Sequence, residues 1–209
     1  MYKHDERVVM TLDAGGTNFV FSAIKGCVPV VEPVCLLAIP DDLEKCLSVL
    51  LAGFSKVKEM LTEEPVAISF AFPGPADYEN GVLGNLHNFP VFNGGVALGP
   101  YLEEKLGIPT FINNDGNLFA YGEALAGALP EINGMLEQAG NVKHYKNLIG
   151  ITLGTGFGCG IVINKELLVG DNSCGGDLFG FRNCFFDDMI IEESVSIRAV
   201  QRVYKELSK

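Results

Sequence analysis

Basic side chains are scarce in this sequence. In 209 residues, 15 Lys and Arg stand against 26 Asp and Glu, a formal net charge of −11. Such a balance argues against a nucleic-acid-binding surface. An anionic ligand would have to be held locally, by backbone N–H groups and a cation, against the overall field. Long apolar runs are also missing. None reaches the length of a membrane span, and the amino-terminal "MYKHDERVV" has no apolar signal-peptide core. The six cysteines, Cys27, Cys35, Cys46, Cys159, Cys174 and Cys184, form no CxxC pair, so zinc-site spacing is absent. With no secretion signal, reduced thiols in a cytoplasm are the expectation. Two phosphate-binding fingerprints are lacking as well. There is no GxxxxGK[ST], and Cys159 occupies the place of the last glycine in GxGxxG.

What is present is a globular composition, 48% hydrophobic and 20% charged, enough for one large domain or two small ones. Val8 to Asp13 and Asn18 to Ile24 read as two strands of a hairpin. Val28 to Ile39 reads as a third strand, weakened by Pro29 and Pro33. Asp41 to Leu61 reads as a helix with Leu43, Cys46, Leu47, Leu50 and Leu51 on one face, and Asp41 or Asp42 as its cap. Val66 to Phe72 is an apolar strand stopping at "PGP". Residues 76 to 97, rich in Gly, Asn and Pro, read as a long irregular connection of the kind that carries binding groups. Pro100 to Leu106 is a short helix ended by Gly107, Pro109 to Asn113 a strand, and Leu118 to Leu129 a helix. A second hairpin starts at Leu148. Strands alternating with helices indicate an α/β architecture, and the two Gly-Thr hairpins suggest two related lobes, residues 1–117 and 118–209.

Three stretches carry candidate chemistry. In "VVMTLDAGGTNFVFSAI", Asp13 ends a strand, Gly15 and Gly16 leave backbone N–H groups unscreened, and Thr17 adds a hydroxyl. A carboxylate there repels bare phosphate, so a bridging Mg²⁺ is implied; a tight turn needing glycine for steric reasons is the alternative. In "LIGITLGTGFGCGIVI", the even positions from Gly154 to Gly160 form a bare face. Either a ligand or a closely packed helix explains so many glycines. In "INNDGNLFAYGE", Asn114 and Asp115 follow a strand and precede a helix, where ligands of open α/β sheets collect. Asp115 is a candidate general base, and equally Asp115 or Asn114 is a candidate helix cap.

Taken in order, these stretches resemble the ROK family of sugar kinases, within the actin-like, hexokinase and Hsp70 ATPase fold (ribonuclease H-like, two-lobed). "LDAGGTNFVFSAI" is similar to that family's first phosphate motif, "FPGPADYENGVLGNLHNF" to its PG segment and sugar loop, "INNDGNLFAYGE" to its Asn-Asp element, and "ITLGTGFGCGIVINKELLVG" to its second phosphate motif. The resemblance spans roughly residues 8 to 207. It implies ATP-dependent phosphorylation of a hexose or amino-sugar hydroxyl, with Asp115 as general base. Asp13 would hold Mg²⁺, through water. Gly15, Gly16 and Thr17 would lie on one side of the phosphates, with Gly154, Thr155 and Gly156 on the other. Gly74 and Asn114 would line the sugar. No membrane or nucleic-acid partner is implied, and the family's members often pair, which leaves room for a homodimer.

The sequence also departs from the family. The AGExGH signature and its cysteine-rich zinc segment correspond here to "CGGDLFGFRNC". Asp177 takes the place of the sugar-binding Glu, Gly180 that of the His, and Cys184 stands alone, so no zinc is expected. Glu192 of "IEESVS", rather than Glu193, is the expected further sugar contact; both also read as first-turn acids of a helix. A non-catalytic sugar-sensing module of the same family is the alternative function. It would discriminate itself by binding sugar without releasing ADP. A final expectation concerns length. From Leu148 onward the chain supplies one hairpin, a loop and one helix, whose apolar face includes Ile197, Val200, Tyr204 and Leu207. This implies a partial form of a longer kinase, with an incomplete second lobe, no adenine pocket and feeble activity by itself.

Overall fold

The computed structural model describes residues 2–15, 17–84, 86 and 89–208. The chain divides into two compact units, Met1–Asn114 and Asp115–Lys209.

The first unit is built on a sheet. Strands β1 (Val9–Ala14) and β2 (Asn18–Lys25) form the expected antiparallel hairpin, with Asp13 opposite Val20. Their alternation sends Met10, Leu12, Phe19, Phe21 and Ala23 into the core. The stretch expected as a third strand is instead two short ones, β3 (Val28–Pro29) and β4 (Val34–Leu37), both pairing β2. Prolines cannot sustain a ladder, and the break falls between Pro29 and Pro33. Helix α1 (Leu43–Met60) starts where Asp42 accepts the Lys45 N–H at 3.1 Å. It buries Cys46, Leu50, Phe54 and Val57, and at Gly53 an added Cβ would run into the Phe21 ring. Strand β5 (Ala67–Ala71) runs parallel to β1.

The connection expected to be irregular contains a small antiparallel sheet of two-residue strands, β6 (Ala76–Asp77), β7 (Val82–Leu83) and β8 (Val96–Ala97). Phe89 and Phe92 from the same stretch pack on Phe72, with ring centroids 5.4 Å away in each case, and tie the segment to the core. Helix α2 (Leu98–Leu106) ends at Gly107, whose φ of 68° is the left-handed conformation that glycine takes freely. Strand β9 (Thr110–Asn113) closes the sheet in the order β3-β2-β1-β5-β9.

The second unit begins with helix α3 (Asp115–Leu125). The single helix expected over Leu118 to Leu129 breaks after Leu125. Glu123 accepts the Ala128 N–H at 2.7 Å, and a separate helix, α4 (Ala128–Gln138), follows. Strands β10 (Leu148–Leu153), β11 (Phe157–Ile163) and β12 (Glu166–Leu167) form an antiparallel sheet, and the short helix α5 (Glu192–Val195) leads into α6 (Ile197–Leu207). The core here is small: Ala120, Ala124, Leu129 and Val162. Apolar surface remains open on one face of β10, where Ile149 and Leu153 are 64% and 62% exposed. It is open also on α6, at Val200, Tyr204 and Leu207. Among the described residues β10 pairs only with β11.

Candidate active site

In the first unit the site residues gather at one sheet edge because three strands point the same way. The parallel register sets Asp13 beside Ala71, and Ala71 beside Asn113. The carboxyl ends of β1, β5 and β9 therefore lie in a row, where ligands of such sheets bind. Asp13 is exposed at the end of its row. Gly15 follows in the hairpin turn, where an added Cβ would lie 2.9 Å from the Asn18 carbonyl oxygen, so the turn tolerates no side chain there. Thr17 is exposed, and its carbonyl accepts the Ala38 N–H. Gly16 lies outside the described residues. Past β5, Gly74 is exposed beneath Tyr78, whose hydroxyl donates to the Phe72 carbonyl at 2.9 Å and would lie 3.0 Å from a Cβ at Gly74. Past β9, the half-buried Asn114 donates its N–H to the Asn113 side chain at 2.8 Å.

The second unit carries the remaining candidates. Asp115 is the first residue of α3, exposed, with one carboxylate oxygen accepting the Gly116 N–H at 2.9 Å. Asn117, two residues on, is buried. The glycine-rich face resolves into two groups. Gly150 and Gly160 are cross-strand partners packed under α3; Cβ atoms there would lie 2.7 and 2.6 Å from the Ala120 Cβ. Gly158 faces Gly116 and the Thr152 hydroxyl. These three serve close sheet-to-helix packing. Gly154 is different: an added Cβ would meet nothing within 4 Å. Gly154 donates its N–H to Gly156 at 3.0 Å across the turn, and Thr155 is exposed at the tip.

The Asp177 loop is brought against the start of α3. Gly176 abuts the Cys159 carbonyl, and a Cβ on it would lie 3.1 Å from the Asn117 side-chain oxygen. Asp177 is exposed next to it, and its hydrogen bond with the Cys174 thiol pushes that thiol's pKa up. Glu192 has its carboxylate engaged at both oxygens, by the Phe157 N–H at 2.9 Å and by Arg198 at 2.6 Å. The sequence reading missed Asn183. This buried carboxamide accepts the N–H groups of Phe185 and Phe186 and donates to the Ser194 hydroxyl at 2.6 Å. An Asn opening a turn was the available signal.

Among the described residues no group of three or more His, Cys, Asp or Glu is placed to hold a metal ion. A nucleotide-bound Mg²⁺ asks for less, one or two carboxylates with water and phosphate completing its shell. An exposed Asp13 close to Gly15, which admits no side chain, fits that requirement.

Residues 9–180 match the ROK family, and the chain belongs to it. The fold is the actin-like ATPase, ribonuclease H-like fold of that family. A glucokinase from Parabacteroides distasonis, known by crystal structure, is 63% identical. The match covers 99% of this chain and 58% of that one, with a TM-score of 0.91. An N-acetyl-D-glucosamine kinase from Photobacterium profundum is 30% identical over 79% of this chain and 50% of its own. A xylose repressor from Caldicellulosiruptor bescii is 26% identical over 86% of this chain and 44% of its own. The chain thus spans about half the length of the curated relatives it matches.

Proposed function

We propose that the protein is an ATP-dependent sugar kinase that phosphorylates a hydroxyl of a hexose or amino sugar, glucokinase-like and cytoplasmic. The observation that carries this reading is the exposed carboxylate of Asp115 on the first residue of α3, directly after the strand end that bears Asn114. The 63% identity to a glucokinase and the similarity to an N-acetyl-D-glucosamine kinase support the substrate class.

ATP supplies the transferable γ-phosphoryl group. Asp115 accepts the proton of the sugar hydroxyl, which raises the nucleophilicity of its oxygen. Gly74, Asn114 and Asp177 orient the sugar. Asp13 would hold Mg²⁺, which would screen the phosphate charge, and the amides of Gly15 and Gly16 with the Thr17 hydroxyl would bind phosphate, as would the amides of Gly154, Thr155 and Gly156. In phosphoryl transfer such positioning and charge stabilisation are most of the catalysis. Zinc has no part in this reading.

The test is phosphate transfer from γ-labelled ATP with Mg²⁺ to a panel of glucose, mannose, N-acetylglucosamine and N-acetylmannosamine. Labelled sugar phosphate from one or more members is the expected result, feeble from this chain alone. Sugar binding with no transfer at all would favour the sensing module instead.

A further inference from the structure

Gly74 and Asn114, the residues of the first unit read as lining the sugar, converge on one point. A Cβ on Gly74 would lie 3.9 Å from the Asn114 Nδ2 and 3.0 Å from the Tyr78 hydroxyl. We propose that Tyr78 is a positioning residue of the sugar site, whose hydroxyl ties the turn carrying Gly74 to the strand end carrying Asn114. The inference rests on the reading of those two residues as sugar contacts.

The tie is a short series of hydrogen bonds through one peptide. Strand β5 ends its ladder at Ala71, opposite Asn113. Phe72, wholly buried, comes next. Its N–H still reaches the Asn113 carbonyl, at 2.9 Å. Its carbonyl lies past the end of the ladder and accepts the Tyr78 hydroxyl, also at 2.9 Å. The Asn113 side-chain oxygen in turn accepts the Asn114 N–H at 2.8 Å. Tyr78, Phe72, Asn113 and Asn114 are thus linked in order, and the loop from Pro73 to Asp77 is closed across its base. Gly74 lies inside that loop. A Cβ there would press on the phenol oxygen, so the bare residue and the tyrosine belong to one arrangement.

Tyr78 is itself held. Its carbonyl accepts the Gly81 N–H at 3.3 Å, and the Gly81 carbonyl accepts the N–H of Gly99 in α2 at 2.9 Å. Asp77, just before it, pairs with Val82. The half-buried ring packs against the core of the first unit. A buried tyrosine combines an apolar body with a hydroxyl that needs a partner; here the ring is the anchor and the oxygen reaches the turn. A phenol that merely satisfied a buried carbonyl would need neither the contact with Gly74 nor the link to Asn114. Positioning needs both, because misplacement by about 1 Å at a reacting site can cost about 10²-fold in rate.

Calorimetric titration of the chain with glucose, mannose, N-acetylglucosamine and N-acetylmannosamine tests this, with amide exchange by NMR as the check on the fold. Tyr78→Phe keeps the ring and removes only the hydroxyl. Affinity for whichever sugar the unsubstituted chain binds should fall about fivefold, the net worth of one hydrogen bond, while the Phe72 amide keeps its exchange protection. Asn80→Ala is the control for a loosened loop. It deletes the Asn80 side-chain bond to the Asp77 carboxylate, 2.8 Å long, in the same loop but outside the series, and sugar affinity should stay within about twofold. Unchanged sugar affinity in Tyr78→Phe, or an equal loss in Asn80→Ala, overturns the proposal and leaves the sugar reading standing. Loss of Phe72 protection in Tyr78→Phe also overturns it, since the hydroxyl would then hold the strand end itself. An unsubstituted chain that binds none of the four sugars removes the sugar reading, and the proposal with it.

Discussion

Gly160 lies so close under Ala120 that a Cβ on the glycine would sit 2.6 Å from the alanine's own. The Gly116 carbonyl oxygen is equally near, at 2.6 Å. Helix α3 therefore rests on the bare face of the β10–β11 hairpin almost backbone to backbone. That closeness fixes where α3 starts, and hence where Asp115 stands in the second unit.

The glycines of this hairpin should consequently separate by mutation. Gly160→Ala forces an extra methyl into a filled interface and should cost about 1–3 kcal/mol or more of unfolding free energy. Gly154→Ala meets nothing within 4 Å and should shift stability by less than about 1 kcal/mol, yet weaken nucleotide binding by screening the turn. Urea unfolding and Mg·ADP titration of both variants check this. Equal stability losses would show that the two glycines do the same packing job.

The thiols offer a second check. Four cysteines are exposed, Cys27, Cys35, Cys174 and Cys184, and two are buried, Cys46 and Cys159. Burial pushes the Cys46 thiol up to about 11 and raises Cys159 as well, so both lack reactive thiolate at neutral pH. A disulfide reagent at pH 8 should modify four thiols in the native chain and all six in denaturant. The sign for stability follows from the raised folded value. The folded thiol holds its proton more tightly than the unfolded one, so the Cys46 contribution is intact below 9.0 and is lost as pH rises from there towards about 11. Cys174 is held up by its hydrogen bond with Asp177, and Asp177→Asn should speed its modification.

Much of this was legible in the sequence, for identifiable reasons. The first hairpin follows from the alternation of Met10, Leu12, Phe19 and Phe21, and α1 from its apolar stripe and the Asp42 cap. Helix α4 was hidden because "ALPEINGMLEQ" contains a proline and a glycine. Pro130 falls in the first turn, where its missing N–H costs no helical bond. The small β6–β7–β8 sheet has two-residue strands, too short for any periodicity. At the site, the parity of Gly154, Gly156, Gly158 and Gly160 revealed a bare face but not how it divides: Gly158 and Gly160 pack against α3, while Gly154 stands open. The Glu192 bond to Phe157 spans 35 residues, and no local pattern announces a contact of that range.

Asp13 allows a metal-specific prediction. Its carboxylate is exposed at the end of β1, and the net charge of −11 opposes an unaccompanied polyphosphate. ATP binding should therefore depend on Mg²⁺ and be weaker than sugar binding. Asp13→Asn should lower Mg·ATP affinity by about tenfold, consistent with one lost charge-assisted contact, and leave sugar affinity unchanged. Calorimetric titrations with and without Mg²⁺ give the answer. Tight metal-independent ATP binding with no response to any sugar would point away from a sugar kinase.

The decisive residue is Asp115. As the first residue of α3 its carboxylate sits favourably at the helix N-terminus and accepts the Gly116 N–H, so a purely structural role is a real competitor. Asp115→Asn separates the two. Asparagine is nearly isosteric and keeps a side-chain acceptor for Gly116, but it cannot take a proton from a sugar hydroxyl. The lost charge at the helix end should cost about 0.3–1 kcal/mol of stability, a small shift in a thermal melt. If Asp115 is the base, phosphate transfer should fall by about 10²–10⁴ relative to the unsubstituted chain, with sugar and Mg·ADP affinities nearly unchanged. That pattern, chemistry lost while binding and fold persist, is not available to a helix cap. Transfer at a near-normal rate in the folded variant would move the proton-accepting role to another group.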